Sequence, residues 1–270
     1  MIKDITIGQF FPGDSIVHRI DARIKFVLTF AAIIFIFIAS SAAAIALMTL
    51  AVLTVVVLTK VPVKLYFKGL KSIFIIILIT SLLNIFYIKT GNVLWSWKFI
   101  TITDQGLMRS ALIAIRIAVM ILISCVLTYT TSPTDLTDAI ERLMKPLKYI
   151  KVPVHEIAMM MTIALRFVPT LLEETDKITS AQKARGADLE SGNLMQRIRA
   201  MIPILIPLFV SAFRRAYELA MAMECRCYHG GDGRTRMKQL HMTARDYVTL
   251  ALSAVVFCGV ILCNQIPPSL

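Results

Sequence analysis

Two arginines stand out for their setting. Arg185 lies in Ala184-Arg185-Gly186 and Arg226 in Cys225-Arg226-Cys227, and each closes a helical stretch. A guanidinium presents five N–H donors in a rigid fork, so a pair of them at helix ends is equipped to grip carboxylates or carbonyls on another protein. A cation near a helix C-terminus gains about 0.3 to 1 kcal/mol from the macrodipole, which accounts for one such arginine but poorly for two on consecutive long helices. Other groupings fall short of catalysis. A phosphate cradle needs G-x-x-x-x-G-K-[ST], and Gly230-Gly231-Asp232-Gly233-Arg234-Thr235 has neither the spacing nor the lysine. His155-Glu156 opens like a zinc-protease H-E-x-x-H, but Met159 stands where the second histidine must be. Glu173-Glu174 could pair as carboxylates, yet His18, His155, His229 and His241 all fall outside the apolar spans, so a solvated acidic turn is the reading. A closed zinc site takes four ligands, usually in two pairs, and Cys225-Arg226-Cys227-Tyr228-His229 has no second pair. No catalytic residue, metal ligand or cofactor site is expected.

The elements that must position these arginines follow from composition. The chain has 270 residues, 57% hydrophobic, with a net charge of +12 and a mean hydropathy of +0.73. A soluble globule cannot carry that much apolar surface, so an integral membrane protein is predicted. Apolar runs at 26–59, 70–88, 107–130 and 245–263 meet the roughly 17 to 25 residues that a membrane helix requires. The first is divided at Ser40-Ser41 into a tight hairpin, which gives about five spans. Arg19, Arg23 and Lys25 before the first span, and Lys60, Lys64, Lys68 and Lys71 between the second and third, belong in the cytosol by the positive-inside rule. The 89–106 loop, with only Lys89 and Lys98 and with Trp95 and Trp97 suited to a membrane interface, then faces outward. The N-terminus is thus inside and the tail from 264 to 270 outside. Residues 1–25 lack the apolar core and small-residue cleavage site of a signal peptide, so nothing is expected to be removed. Cys125, Cys225, Cys227, Cys258 and Cys263 are odd in number, two of them in reducing cytosol, and no structural disulfide is predicted.

Between Thr131 and Asp246 the chain carries 17 basic and 13 acidic residues, against 12 and 4 in residues 1–130. This stretch predicts a cytosolic domain of about three amphipathic helices lying against the bilayer. The first opens at Ser132-Pro133-Thr134-Asp135, capped by Ser132 or Thr134, and ends near Pro146. The second runs from about 154 to 185, kinked at Pro169, with Gly186 as its left-handed stop. The third runs from about 197 to 226, broken by Pro203 and Pro207. The two long helices are expected to pack crosswise; their apolar stretches 159–168 and 202–210 also admit a seven-span model. The domain plan is four spans in 1–131, a coupling domain in 132–243, and a last span with its tail in 244–270. Arg116, inside the fourth span, must find a partner, either another subunit or Asn84, or else reach toward the membrane interface. Met159, Met160, Met161, Met201, Met221 and Met223 serve equally as packing or as an adaptable contact surface.

Five stretches in order resemble one family: 12–25 (Pro12-Gly13-Asp14-Ser15 through Arg23-Ile24-Lys25), Thr130-Thr131-Ser132-Pro133-Thr134-Asp135-Leu136, Leu165-Arg166-Phe167-Val168-Pro169-Thr170-Leu171, Gln182-Lys183-Ala184-Arg185-Gly186-Ala187 and Ala222-Met223-Glu224-Cys225-Arg226-Cys227-Tyr228. The family is the T component (EcfT) of energy-coupling factor transporters, which includes CbiQ. The resemblance implies a scaffold in a bacterial cytoplasmic membrane that joins two ABC-type ATPases to a small S component binding a vitamin or metal. It implies that Ala184, Arg185, Gly186, Cys225, Arg226 and Cys227 dock the ATPases, with ATP hydrolysis in those partners. Arg116, Met159, Met160, Met161 and Met201 become candidates for S-component contact. The second motif departs from the family's Ala-Arg-Gly by its two cysteines, so the helix is expected to end through Tyr228 to Gly231. No nucleic-acid partner is implied. The rival classes are an autonomous secondary transporter, for which no repeated halves appear, and an intramembrane enzyme, for which ligand and nucleophile sets are missing.

Overall fold

The computed structural model describes residues 10–87, 93–97, 100–187, 193–231 and 242–265, of which 93–97, 100–102 and 194 by backbone alone. In chain order these hold α1 (Ala22–Ile38), α2 (Ala42–Thr59), α3 (Val63–Tyr87), β1 (Val93–Trp97), β2 (Ile100–Thr103), α4 (Asp104–Thr130), α5 (Pro133–Leu143), a 3-10 turn (Lys145–Ile150), α6 (Val154–Ala184), α7 (Leu194–Glu224) and α8 (Ala244–Gln265). Among the described residues the fold is helical apart from β1 and β2, an antiparallel ribbon that pairs Trp97 with Ile100 and Trp95 with Ile102 and then shifts register before Val93 meets Thr103. It occupies part of what reads in the sequence as a plain loop. The Lys89 and Lys98 of that loop, the Trp95 and Trp97 side chains, the stretch 232–241 and the tail beyond 265 lie outside what is described.

Among the described residues six helices, α2, α3, α4, α6, α7 and α8, are long and apolar enough to cross a membrane by length and composition. Lipid offers no hydrogen-bond partners, so a spanning segment must satisfy its own backbone, and even the β-branched run Thr54-Val55-Val56-Val57 in α2 stays helical. Hydroxyls follow the same rule: Thr49, Thr54, Thr80, Ser124 and Thr128 each donate to the carbonyl four residues earlier. α1, at 17 residues, is roughly 25 Å long, a little short of the about 30 Å hydrocarbon layer. α3 begins at Val63, so Lys64, Lys68 and Lys71 ride on its first turns rather than in a loop before it.

Internal packing divides the described chain into two compact units, 10–139 with 242–265 and 140–231. In the first unit α1, α2, α4 and α8 share a core of Ile36, Ile45, Met48, Val119, Ile123 and Val260. Phe35 stacks on Phe257 with ring centroids 4.3 Å apart. α3 lies along α4, where Gly69 admits the Cys125 thiol. Farther along the pair, Ser81 and Ser110 each donate to the other's carbonyl, at 3.4 and 3.0 Å. Tyr66 is buried with its hydroxyl 2.9 Å from the Thr59 Oγ1.

The two ends of this unit are tied by polar residues. At one end the buried Asp246 carboxylate accepts from the Asp21 backbone N–H at 2.9 Å and from the Thr243 N–H at 2.7 Å and hydroxyl at 2.8 Å. Lys25, also buried, donates to the Thr130 carbonyl at the end of α4 at 2.8 Å. His18 holds the preceding loop: its Nε2 faces the Phe11 carbonyl at 3.0 Å, which leaves Nδ1 to accept from the Ser15 hydroxyl at 2.6 Å. At the other end the Asn264 side chain accepts from the Ser40 N–H at 2.9 Å and the Ser41 N–H at 3.3 Å, pinning the α1–α2 hairpin tip to α8. The starts of α1 and α8 therefore share one face, and the hairpin tip and the end of α8 share the opposite one.

Arg116 resolves at that second level. Its guanidinium donates to the Ala39 carbonyl, the C-cap of α1, while Asn84 turns back to the Thr80 carbonyl at 2.8 Å. Asn84 is thus not its partner. Arg116 sits about 21 Å along α4 from Thr130, level with the hairpin tip, and caps a helix end whose macrodipole favours a cation.

Candidate docking site at two helix ends

The second unit is built on α6 and α7, each 31 residues long, entered from α5 through the 3-10 turn. Ser132 caps α5, its hydroxyl accepting from the Asp135 N–H at 3.1 Å. α5 ends at Leu143, and Pro146 falls inside the 3-10 turn rather than marking the helix end. α7 is not broken at its prolines: it runs continuously through Pro203 and Pro207. Pro207 has no N–H for the Pro203 carbonyl four residues earlier, and the Gln182 amide of α6 donates to that carbonyl instead at 3.5 Å. The helix is held together where its own ladder fails.

α6 and α7 run in opposite senses. Gln182 meets Pro203, Glu174 meets Arg215 at 3.0 Å, and Ile163 and Phe167 share a cavity of about 260 Å³ with Leu219, Ala220 and Met223. Beyond the end of α7 the chain returns to the start of α6, where a β-carbon on Gly231 would overlap the His155 ring. His155 is itself held by the buried Glu141, Nδ1 to Oε1, at 3.2 Å. These pairings fix the relation between the two motifs: Arg185 and Arg226 stand at opposite ends of one antiparallel pair, roughly 35 Å apart by helix rise.

The local geometry at the two ends is the same. At α6 the Gly186 N–H donates to the Lys183 carbonyl and the Ala187 N–H to the Gln182 carbonyl, both at 3.0 Å, with Gly186 left-handed at φ 86°. At α7 the Cys227 N–H donates to the Glu224 carbonyl at 2.8 Å and the Tyr228 N–H to the Met223 carbonyl at 3.1 Å, with Cys227 left-handed at φ 53°. Both patterns are the Schellman termination, and in each the arginine immediately precedes the left-handed residue. Ending the second helix through Tyr228 to Gly231, as the sequence predicts, is therefore corrected: Cys227 itself takes glycine's place. A β-carbon in that conformation costs about 1 to 2 kcal/mol. Arg185 and Arg226 are both exposed, as are Cys225 and Cys227.

The remaining candidates are scattered. Met160, Met161 and Met201 are exposed and Met159 is half-buried. α7 also exposes Ile202, Ile206, Phe209, Val210 and Phe213, a contiguous apolar face of the kind that marks contact with protein or lipid. Arg116 belongs to the first unit and is engaged with Ala39. Among the described residues no three His, Cys, Asp or Glu side chains gather as a metal set, and all five cysteines are unpaired. The sequence pattern gave no sign of Asp246, Asn264 or Gln182, because each acts on a backbone group far away in the chain.

A polytopic helical membrane protein carrying two matched arginine-tipped helix ends has the features of a transporter's membrane component. The family model described as CbiQ, cobalt transport protein, matches residues 13–237. Relatives named energy-coupling factor transporter transmembrane protein EcfT are 54% identical in Ruminiclostridium cellulolyticum, over 98% of this chain and 99% of the relative. Those in Clostridium kluyveri are 52% identical over 96% of each, and in Bacillus subtilis 44% identical over 97% and 98%. The chain belongs to the EcfT/CbiQ family, as a multi-pass transmembrane component of energy-coupling factor transporters in the cell membrane.

Proposed function

We propose that this chain is the scaffold through which two cytosolic ABC-type ATPases act on a small substrate-binding membrane subunit, in the uptake of a vitamin or other micronutrient. On this reading residues 132–243 form the coupling domain, flanked by spans in 1–131 and 244–270, with the N-terminus cytosolic. Arg185 and Arg226, with Ala184, Gly186, Cys225 and Cys227 around them, dock one ATPase each. The observation that carries it is the matched termination of α6 and α7 at opposite ends of an antiparallel pair. Two like sockets on two like ATPases call for two like tips held apart by a stiff spacer.

The geometry supports a mechanism for this reading. ATP binding closes the ATPase pair and moves the two sockets; the arginines move with them, and α6 and α7 carry the displacement to the substrate-binding subunit. Gln182 on Pro203, and Arg215 on Glu174, keep the two rods from sliding past each other. The exposed Met160, Met161 and Met201, with Met159 beside them, offer that subunit an adaptable apolar surface. Only interactions that differ between the two states of the ATPases can supply the shift. ATP hydrolysis belongs to the partners.

The test is the composition of the native complex. Purified from its own membranes through a tag on this chain, it should contain two ATPase subunits and one small hydrophobic protein. A lone protein that transports unaided would establish the secondary-transporter reading instead.

A further inference from the structure

The 3-10 turn Lys145–Ile150 and the following Lys151 form a run of seven exposed residues, Lys145-Pro146-Leu147-Lys148-Tyr149-Ile150-Lys151. Tyr149 is 95% exposed and Ile150 77%. The backbone beneath them is fixed: Lys151 is left-handed at φ 61°, and its N–H donates to the Lys148 carbonyl at 3.0 Å. A 3-10 helix has three residues per turn, so side chains three apart stack along one edge. Lys145 and Lys148 make one edge, Pro146 and Tyr149 the second, and Leu147 and Ile150 the third, with a further cation, Lys151, at the left-handed residue that ends the turn.

We propose that this turn is an interfacial anchor that binds anionic phospholipid headgroups, with the lysine edge on the phosphates and Tyr149 and Ile150 seated among the upper acyl chains. Several features select lipid over a protein partner. The chain resides in a membrane, so the surface is always at hand. Lysine on a flexible stem is a point charge suited to many headgroup positions rather than one carboxylate geometry. Tyrosine beside an aliphatic residue, apolar in body and polar at the tip, is the pairing that settles at headgroup level. A single edge of like charge between two apolar edges is the three-residue form of an amphipathic membrane-surface helix. This inference stands apart from arginine docking and would survive its failure.

The experiment places the photocrosslinker p-benzoylphenylalanine at position 149 of the full-length chain. The protein is illuminated in nanodiscs of phosphatidylcholine with or without phosphatidylglycerol, and also within the intact complex in native membranes. Phospholipid adducts should dominate, rise when phosphatidylglycerol is present, and fall by about fivefold for each of Lys145→Gln, Lys148→Gln and Lys151→Gln. The same crosslinker at position 150 guards against a local effect of replacing Tyr149. Adducts to another polypeptide, equal yields in the two bilayers, or no adduct from either position would each overturn the anchor.

Discussion

Arg185 and Arg226 occupy equivalent positions, each one residue before a left-handed residue that ends a 31-residue helix, yet one stop is glycine and the other cysteine. Position relative to the stop, rather than motif spelling, is what the two share. Both guanidiniums are exposed at the last turn of their helices, where a partner can close around them.

The glycine stop is testable by itself. Nothing lies within 4 Å of a β-carbon built on Gly186, so Gly186→Ala meets no clash and its cost is purely conformational. That cost is about 1 to 2 kcal/mol. Hydrogen exchange of the 183–187 amides should accelerate by roughly tenfold, and ATPase co-purification should weaken although Arg185 is untouched.

The cysteine stop predicts the opposite sign. Cys227→Gly relieves the left-handed strain while adding freedom to the unfolded chain, for a net gain of about 0.5 to 1 kcal/mol. Exchange at the Cys227 and Tyr228 amides, which close the turn on Glu224 and Met223, should slow. Faster exchange would mean that the left-handed backbone is held there by something other than the termination.

How much of this was legible beforehand depends on the range of each interaction. The apolar runs, the Ser40-Ser41 break, the Ser132 cap and the Gly186 stop are all written within a few neighbouring residues. The continuity of α7 through Pro203 and Pro207 was not, because the donor that compensates for Pro207 comes from Gln182 on another helix. Arg116 announced a need without naming its partner: Ala39 offers a backbone carbonyl, which no side-chain pattern reveals. The termination at Cys227 was hidden because cysteine carries no left-handed preference of its own.

Asp246 provides a third prediction. It is 1% exposed and accepts from two backbone N–H groups and one hydroxyl. Asp246→Ala leaves buried donors without acceptors, at about 2 to 4 kcal/mol, and should lower the apparent melting temperature of the detergent-solubilised protein by several degrees. Asp246→Asn, which keeps one carbonyl oxygen, should lose less. Equal melting temperatures for wild type and alanine variant would refute the clasp between α1 and α8.

At the opposite end, Asn264→Ala strips the acceptor from the Ser40 and Ser41 amides, and Arg116→Gln removes the cap from Ala39. Each should cost about 1 to 3 kcal/mol. Both act on one hairpin tip, so the double variant should fall short of the sum of the two in thermal unfolding, an interaction that independent sites would not show.

The most direct test of the scaffold reading reverses both tips. Arg185→Glu and Arg226→Glu alter exposed side chains and should leave the chain folded and in the membrane. Each single variant should weaken the hold on one ATPase, and the pair together should release both and abolish substrate uptake, measured by subunit stoichiometry of the purified complex and transport in vesicles. A doubly reversed protein that still carries two ATPases and transports at the normal rate would contradict the account.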